Sequence, residues 1–237
     1  RVQLPAIGHA VRRHALAVCE QLLIVVPRLL GNETDERVRT LTLAEAVAAT
    51  FTHPNNLILE RIRRRPRPFG IPESEFHLLD GRVKMITKRP VRLLSLSMLD
   101  LHNRTSLWDV GFCTGSVSVE ARLQFPHLRV TAFEIRPGCR EILAANCRRF
   151  GTPGITPVMG DFMEVDTTDL PAPDAVFIGG HGGRLADMLR KIDGVMRPGG
   201  VIVFNSVSEE SRQLFTDGLA AIGRRITECV RLNVDAH

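Results

Sequence analysis

Asp109 and the two glycines of a short turn, Gly111 and Gly115, stand between an apolar run and a helix-patterned stretch in LWDVGFCTGSVSVE, residues 107–120. A glycine turn at a strand end raises a phosphate site, and the residues exclude two kinds. The dinucleotide fingerprint GxGxxG needs glycine where Cys113 stands, and a P-loop needs lysine after Gly115, where the chain has Ser116. Glu134 ends the next strand, in AFEIRP, where one carboxylate can accept both hydroxyls of a ribose. Asp161 follows the third strand, in MGDF, where it can accept from an exocyclic amine, with Phe162 beside it to cover a flat base. A single loop carboxylate is commonly just solvated. Three at the ends of three successive strands, with a glycine turn on the first, describe a nucleoside site that lacks a phosphate. S-Adenosylmethionine (SAM) is such a ligand.

These residues converge only if their strands are parallel neighbours. SLWDVG, RVTAFEI, ITPVMGD, PDAVFIG and VIVFNS read as strands, and they alternate with the helical stretches SVSVEARLQF, GCREILAANCRRFG, GRLADMLRKIDGVM and EESRQLFTDGLAAIG. A further helix is expected over RPVRLLSLSMLDLH, residues 89–102, and a last strand over ITECVRLNV. The alternation predicts an α/β fold, a Rossmann-like, mostly parallel, doubly wound sheet covered on both faces. Ligands in such sheets bind beyond the carboxyl ends of the strands, where all three acids are expected.

Composition narrows the partners. The formal charge is +5 and the isoelectric point about 9.3, which suits nucleic acid or a polycarboxylate small molecule. No apolar run is long enough to span a membrane, and the first residues lack a signal-peptide layout. The chain begins without Met and is read as a piece of a longer protein. Five cysteines, none in CxxC spacing, point to reduced thiols in a cytoplasmic protein and to no metal site. Arginines and prolines crowd RIRRRPRPFGIPESEF, residues 61–76, where proline blocks helix and removes ladder donors. Only Phe69 interleaves the basic residues, too few aromatics for a nucleic-acid tail. The expected division is 1–62 as a partial N-terminal α/β segment, 63–76 as linker, and 77–237 as the cofactor-binding domain.

LWDVGFCTGSVSVE, AFEIRP, MGDF, PDAVFIGGHGG and RPGGVIVFNSVSEES together resemble the decarboxylating precorrin methyltransferases of cobalamin (vitamin B12) biosynthesis, in particular their carbon-15 methylating domain. The entry helix ITKRPVR is similar too. LLGNETDERVRTLTLAEAVAATFTHPNNLILER, near the start, is similar to the end of the carbon-5 methylating domain that precedes it in fused enzymes. The resemblance implies a class I SAM-dependent methyltransferase that methylates precorrin-7 at carbon 15 with loss of carbon dioxide from the ring C acetate. It implies cofactor contacts at Thr87, Gly111, Phe112, Cys113, Thr114, Gly115, Glu134, Asp161 and Phe162. The chain departs from the family in three places. Cys113 stands where glycine is usual, Phe112 where a small residue is, and His181 where serine is common. The chain also stops before a final strand the family would have.

The substrate's carboxylates account for the basic surplus, with Lys88, Arg89, His181 and Arg184 as their expected partners and Gly180 opening room for a flat macrocycle. His181 and Asn205 are the candidates for a catalytic role, and Ser206 faces the same crevice; no general base stands out. The resemblance further implies a homo-oligomer, a tetramer by analogy, with no nucleic-acid or membrane partner. Two alternatives stay open. An RNA methyltransferase acting on an exocyclic nitrogen would carry an acidic-or-Asn, Pro, Pro, aromatic tetrapeptide where this chain reads FIGG. A SAM-binding module without activity would fit the substitutions at Phe112 and Cys113.

Overall fold

The computed structural model of the chain describes residues 22–28, 34, 36–51, 56, 58–61 and 67–234. Cys19, the start of the N-terminal segment, the first part of the expected linker (63–66) and the last three residues lie outside them. The contacts group the chain into two units, Arg1–Arg67 with Cys147–Pro153, and Pro68–Asn146 with Gly154–His237.

The first unit holds an antiparallel sheet of β1 (Leu22–Arg28), β2 (Arg37–Thr42) and β3 (Ile58–Arg61) in the order β2-β1-β3. Helix α1 (Leu43–Ala48) starts directly from β2. Thr42 and Glu45 form a reciprocal capping box that satisfies two of the first amides of this short helix.

The second unit is the α/β domain. Its elements are α2 (Arg89–Met98), β4 (Ser106–Val110), α3 (Ser116–Gln124), β5 (Arg129–Glu134), α4 (Cys139–Phe150, grouped here as far as Asn146), β6 (Ile155–Met159), β7 (Ala175–Ile178), α5 (Leu185–Val195), β8 (Val201–Phe204) and α6 (Glu209–Ala221). All neighbouring strands are parallel, in the order β6-β5-β4-β7-β8. The order reverses at β4, between β5 and β7, so the crevice of this sheet opens above the end of β4. The strands read as continuous apolar runs because both faces are covered. Ala175 and Phe177 turn to one face with Leu107, Val130 and Val203, against Leu96, Val117 and Ala121. Val176 and Ile178 turn to the other with Trp108, Val110 and Phe133, against Leu185, Met188, Leu189 and Ile192 of α5. Burial of this order contributes roughly 25 cal/mol per Å² of apolar surface.

Two differences from the sequence reading stand out. Ile71 and Phe76, within the stretch read as linker, are buried in the second unit. The strand expected over ITECVRLNV does not form. Beyond α6 the chain is irregular, and Ile226, Val230, Leu232 and Val234 are exposed. A strand needs a ladder partner as well as an alternating pattern. The sheet edge it would join is β8, and a groove lined by Met98, Val201, Val203, Phe215, Leu219 and Ile226 lies there instead. No described helix is long and apolar enough to cross a membrane.

Candidate active site

The chain leaves β4 through a turn shaped by two neighbours. Gly111 has φ +81°, and a Cβ on it would lie 2.9 Å from the backbone nitrogen of Gly180. Only glycine suits both constraints. Gly111 and Phe112 both donate their amides to the carbonyl of Phe133, at 2.8 and 3.2 Å. Gly115, φ +71°, starts α3, and a Cβ there would run into Leu143. Cys113 keeps the left-handed conformation that glycine would take, φ +48°. Phe112 and Cys113 are both buried, so the chain tolerates these departures by packing the side chains inward. Burial, then the charge of Glu134, pushes the Cys113 thiol up, and burial pushes Cys139 to about 12. Beneath the turn Asp109 is fully buried; Oδ2 accepts from Ser118 N and Oγ at 3.2 and 2.5 Å, and Oδ1 has no partner. Burial raises its carboxyl to about 6.

The turn is tied to the first acid directly. Cys113 donates its amide to Glu134 Oε2 at 3.0 Å, while Arg136 donates its own amide (3.0 Å) and guanidinium (3.2 Å) to Oε1. Glu134 is 3 % exposed, so its carboxylate is aimed by these donors rather than free to rotate. Its carbonyl accepts from Gly160 N at 3.0 Å, which brings the Asp161 loop alongside. Asp161 accepts from Met163 N (2.8 Å) and from the Arg184 guanidinium (3.0 Å). Arg184, expected to meet substrate carboxylates, thus stands against Asp161, the acid expected on the adenine side. Phe162, expected to cover a base, is buried, with its ring edge-on to Phe133 and Trp108 at centroid distances of 5.0 and 6.1 Å. Its part is to anchor the Asp161 loop in the core.

The remaining expected residues form the rim. The Thr87 carbonyl accepts from Arg92 at 2.6 Å. Lys88 is exposed and reaches the Val83 carbonyl, and Arg89 is exposed, its amide on Glu73. Gly180 has open space where a Cβ would point. His181 accepts from Gly183 N at Nδ1 (3.2 Å), which leaves Nε2 to carry the proton of the neutral ring, and its ring lies against Phe204. Asn205 is held by Ser95, and Ser206 by Ser208.

Four polar anchors escaped the sequence reading. Arg92 and Glu120 form an ion pair at 2.6 Å with both side chains fully buried. Asn146 is fully buried between the turn and the segment before α2. Lys191 gives its ammonium to the carbonyls of Phe162, Met163 and Val165, fixing the Asp161 loop from α5. The one signal for Glu120 is its place among the small and apolar residues of SVSVEA at the start of its helix, where a buried charge implies a partner.

SAM suits this donor set. A buried carboxylate at one strand end and a half-buried one at the next can accept a ribose and an amine, and the buried oxygens Asp109 Oδ1 and Thr114 Oγ1 at the turn have no partner among the described residues. Among those residues no cluster of His, Cys, Asp or Glu could hold a metal ion.

The family model described as a precorrin methyltransferase domain matches residues 78–236. The chain belongs to this family. Precorrin methyltransferases similar to it include the cobalt-precorrin-6B C(15)-methyltransferase (decarboxylating) of Salmonella typhimurium, 40 % identical over 158 residues, which cover 67 % of this chain and 81 % of that one. The precorrin-6Y C(5,15)-methyltransferase (decarboxylating) of Sinorhizobium sp. is 36 % identical over 209 residues, 86 % of this chain and 49 % of that longer one. The crystal structure of precorrin-6Y C5,15-methyltransferase from Geobacter metallireducens superposes with a TM-score of 0.61 at 34 % identity, covering 68 % of this chain and 82 % of that one. The class I methyltransferase fold of this family is the parallel five-stranded sheet described above, and its methyl donor is SAM.

Proposed function

We propose that the domain from residue 77 onward methylates carbon 15 of precorrin-7 and releases carbon dioxide from the ring C acetate, as a step of cobalamin biosynthesis. The observation that supports the reading is the bond from the Cys113 amide to Glu134, which joins the glycine turn to that carboxylate at the switch point of the sheet. The bound cofactor supplies a methyl group on a sulfonium, whose leaving group is neutral. The protein therefore needs no acid to expel it. Its residues bind, orient and exclude water.

In this reading Glu134 accepts the ribose hydroxyls and Asp161 the adenine amine, with Arg184 giving way at Asp161. Thr87 and the turn Gly111–Gly115 hold the methionine end. Gly180, with open space before it, leaves room for the macrocycle. Lys88, Arg89 and the Nε2 N–H of His181 meet its carboxylates, and Arg184 joins them once released. Asn205, fixed by Ser95, faces the same side as a positioning group. Residues 1–62 are read as the tail of a carbon-5 methylating domain, supported by the match that extends over 86 % of the chain to the fused Sinorhizobium enzyme. A cytoplasmic location accords with the free thiols of the described cysteines, and the homo-oligomer is carried over from the family resemblance alone.

The test is incubation of the chain with precorrin-7 and methyl-labelled SAM, read by mass. A product heavier by one labelled methyl and lighter by one carbon dioxide supports the reading. Labelled RNA in its place, or cofactor binding with an unchanged tetrapyrrole, would end it.

A further inference from the structure

Between Gly70 and Lys88 the chain has only three isolated helical turns, Glu73–Glu75, Leu79–Gly81 and Val83–Met85. So little regular structure leaves its backbone groups to find partners elsewhere. Several find them on fully buried side chains. Asn146 Oδ1 accepts from His77 N at 2.8 Å, and its Nδ2 donates both to His77 O at 3.1 Å and to Thr114 O at 2.9 Å. The amide thus uses its acceptor and both donors, and it does so with 0 % exposure. His77 contributes through its main chain alone, and its side chain points to solvent. Thr114 lies inside the glycine turn. One side chain on α4 therefore joins the segment that ends in Thr87 to the turn at the end of β4.

We infer that Asn146 is a positioning residue for the cofactor: it touches no ligand, and it holds His77 and the Thr114 carbonyl in register so that the two walls of the methionine-end subsite, Thr87 and Gly111–Gly115, form together. The inference rests on the cofactor placement given above. It separates Asn146 from an ordinary core residue in a specific way. A core residue supports the folded state alone, whereas this amide also joins the two segments assigned to the cofactor site, so its loss should be felt in ligand binding as well as in stability.

Two substitutions test it. Asn146→Leu keeps the forked shape at a larger volume and removes every side-chain hydrogen bond. Asn146→Asp keeps an acceptor for His77 N and loses both donors, so it fails at Thr114. The expected result in each folded variant is a SAM dissociation constant raised about tenfold by calorimetry, a smaller gain in melting temperature on adding SAM, and a higher KM for SAM with kcat changed far less. His77→Ala, which leaves the main-chain bonds intact, is expected to match wild type. A variant that melts earlier yet binds SAM with wild-type affinity overturns the inference. Hydrogen exchange on the wild-type chain decides the matter even if neither variant folds. SAM is expected to slow exchange around His77 together with Gly111–Gly115, and protection of the turn alone overturns the coupling. Glu134→Ala serves as the separate control for the cofactor placement. If it binds SAM normally the placement fails, whatever Asn146 does; if it loses SAM and the Asn146 variants do not, only the coupling fails.

Discussion

The buried pair Arg92–Glu120 gives the sharpest energetic prediction. Glu120→Leu leaves the guanidinium of Arg92, fully buried, without its counter-charge, and deprives the amides of Gly70 and Ile71 of their shared acceptor. Arg92→Leu leaves Glu120 buried and charged, and strands the carbonyls of Ile71 and Thr87. Loss of one partner of a buried pair costs about 3–5 kcal/mol, against a total stability of about 5–15 kcal/mol. The double variant removes both charges at once and keeps only the loss of the main-chain partners. Its cost is therefore expected to fall short of the sum of the singles by about 2 kcal/mol. Urea denaturation followed by Trp108, the only tryptophan and fully buried in this unit, measures all four proteins. Additive losses within about 0.5 kcal/mol would refute the claim that the two charges are mutual partners rather than separate anchors of the entry segment.

Further outcomes follow from single positions. Gly111→Ala forces a Cβ toward the Gly180 backbone at a φ of +81° and is expected to cost about 2–4 kcal/mol in melting or denaturant assays, while Gly180→Ala, facing open space, leaves stability unchanged and weakens tetrapyrrole binding. Asp109, whose carboxyl is raised to about 6 in the fold, binds its proton more tightly there than in the unfolded chain. Stability should therefore fall as pH rises from about 4 through about 6, by up to about 3 kcal/mol, and Asp109→Asn should remove this slope. Alkylation mapped by mass at pH 8 should mark the exposed Cys229 early and spare Cys113 and Cys139, whose raised values keep them protonated.

The sheet was legible because SLWDV, AVFI and VIVF are short apolar runs bounded by turn residues, the mark of strands buried on both faces. The turn and its acids were legible because each ends a strand, so that topology alone brings them together. ITECVRLNV misled because alternation reports which side chains share a face, and the ladder depends on an edge that is reachable. Arg184 and Phe162 were placed by their loops, but their side chains were claimed by neighbours distant in sequence, Asp161 and the core aromatics. The anchors Arg92, Glu120, Asn146 and Lys191 were the least legible. Each binds main-chain groups of an irregular segment, and no local pattern announces such a partner.

A crystal of the chain grown with S-adenosylhomocysteine tests the central claim most directly. Density is predicted over Gly111–Gly115 with the ribose hydroxyls on Glu134, and Arg184 displaced from Asp161 by the adenine amine. A ligand bound elsewhere, or a nucleoside at this turn whose ribose turns away from Glu134, would contradict it.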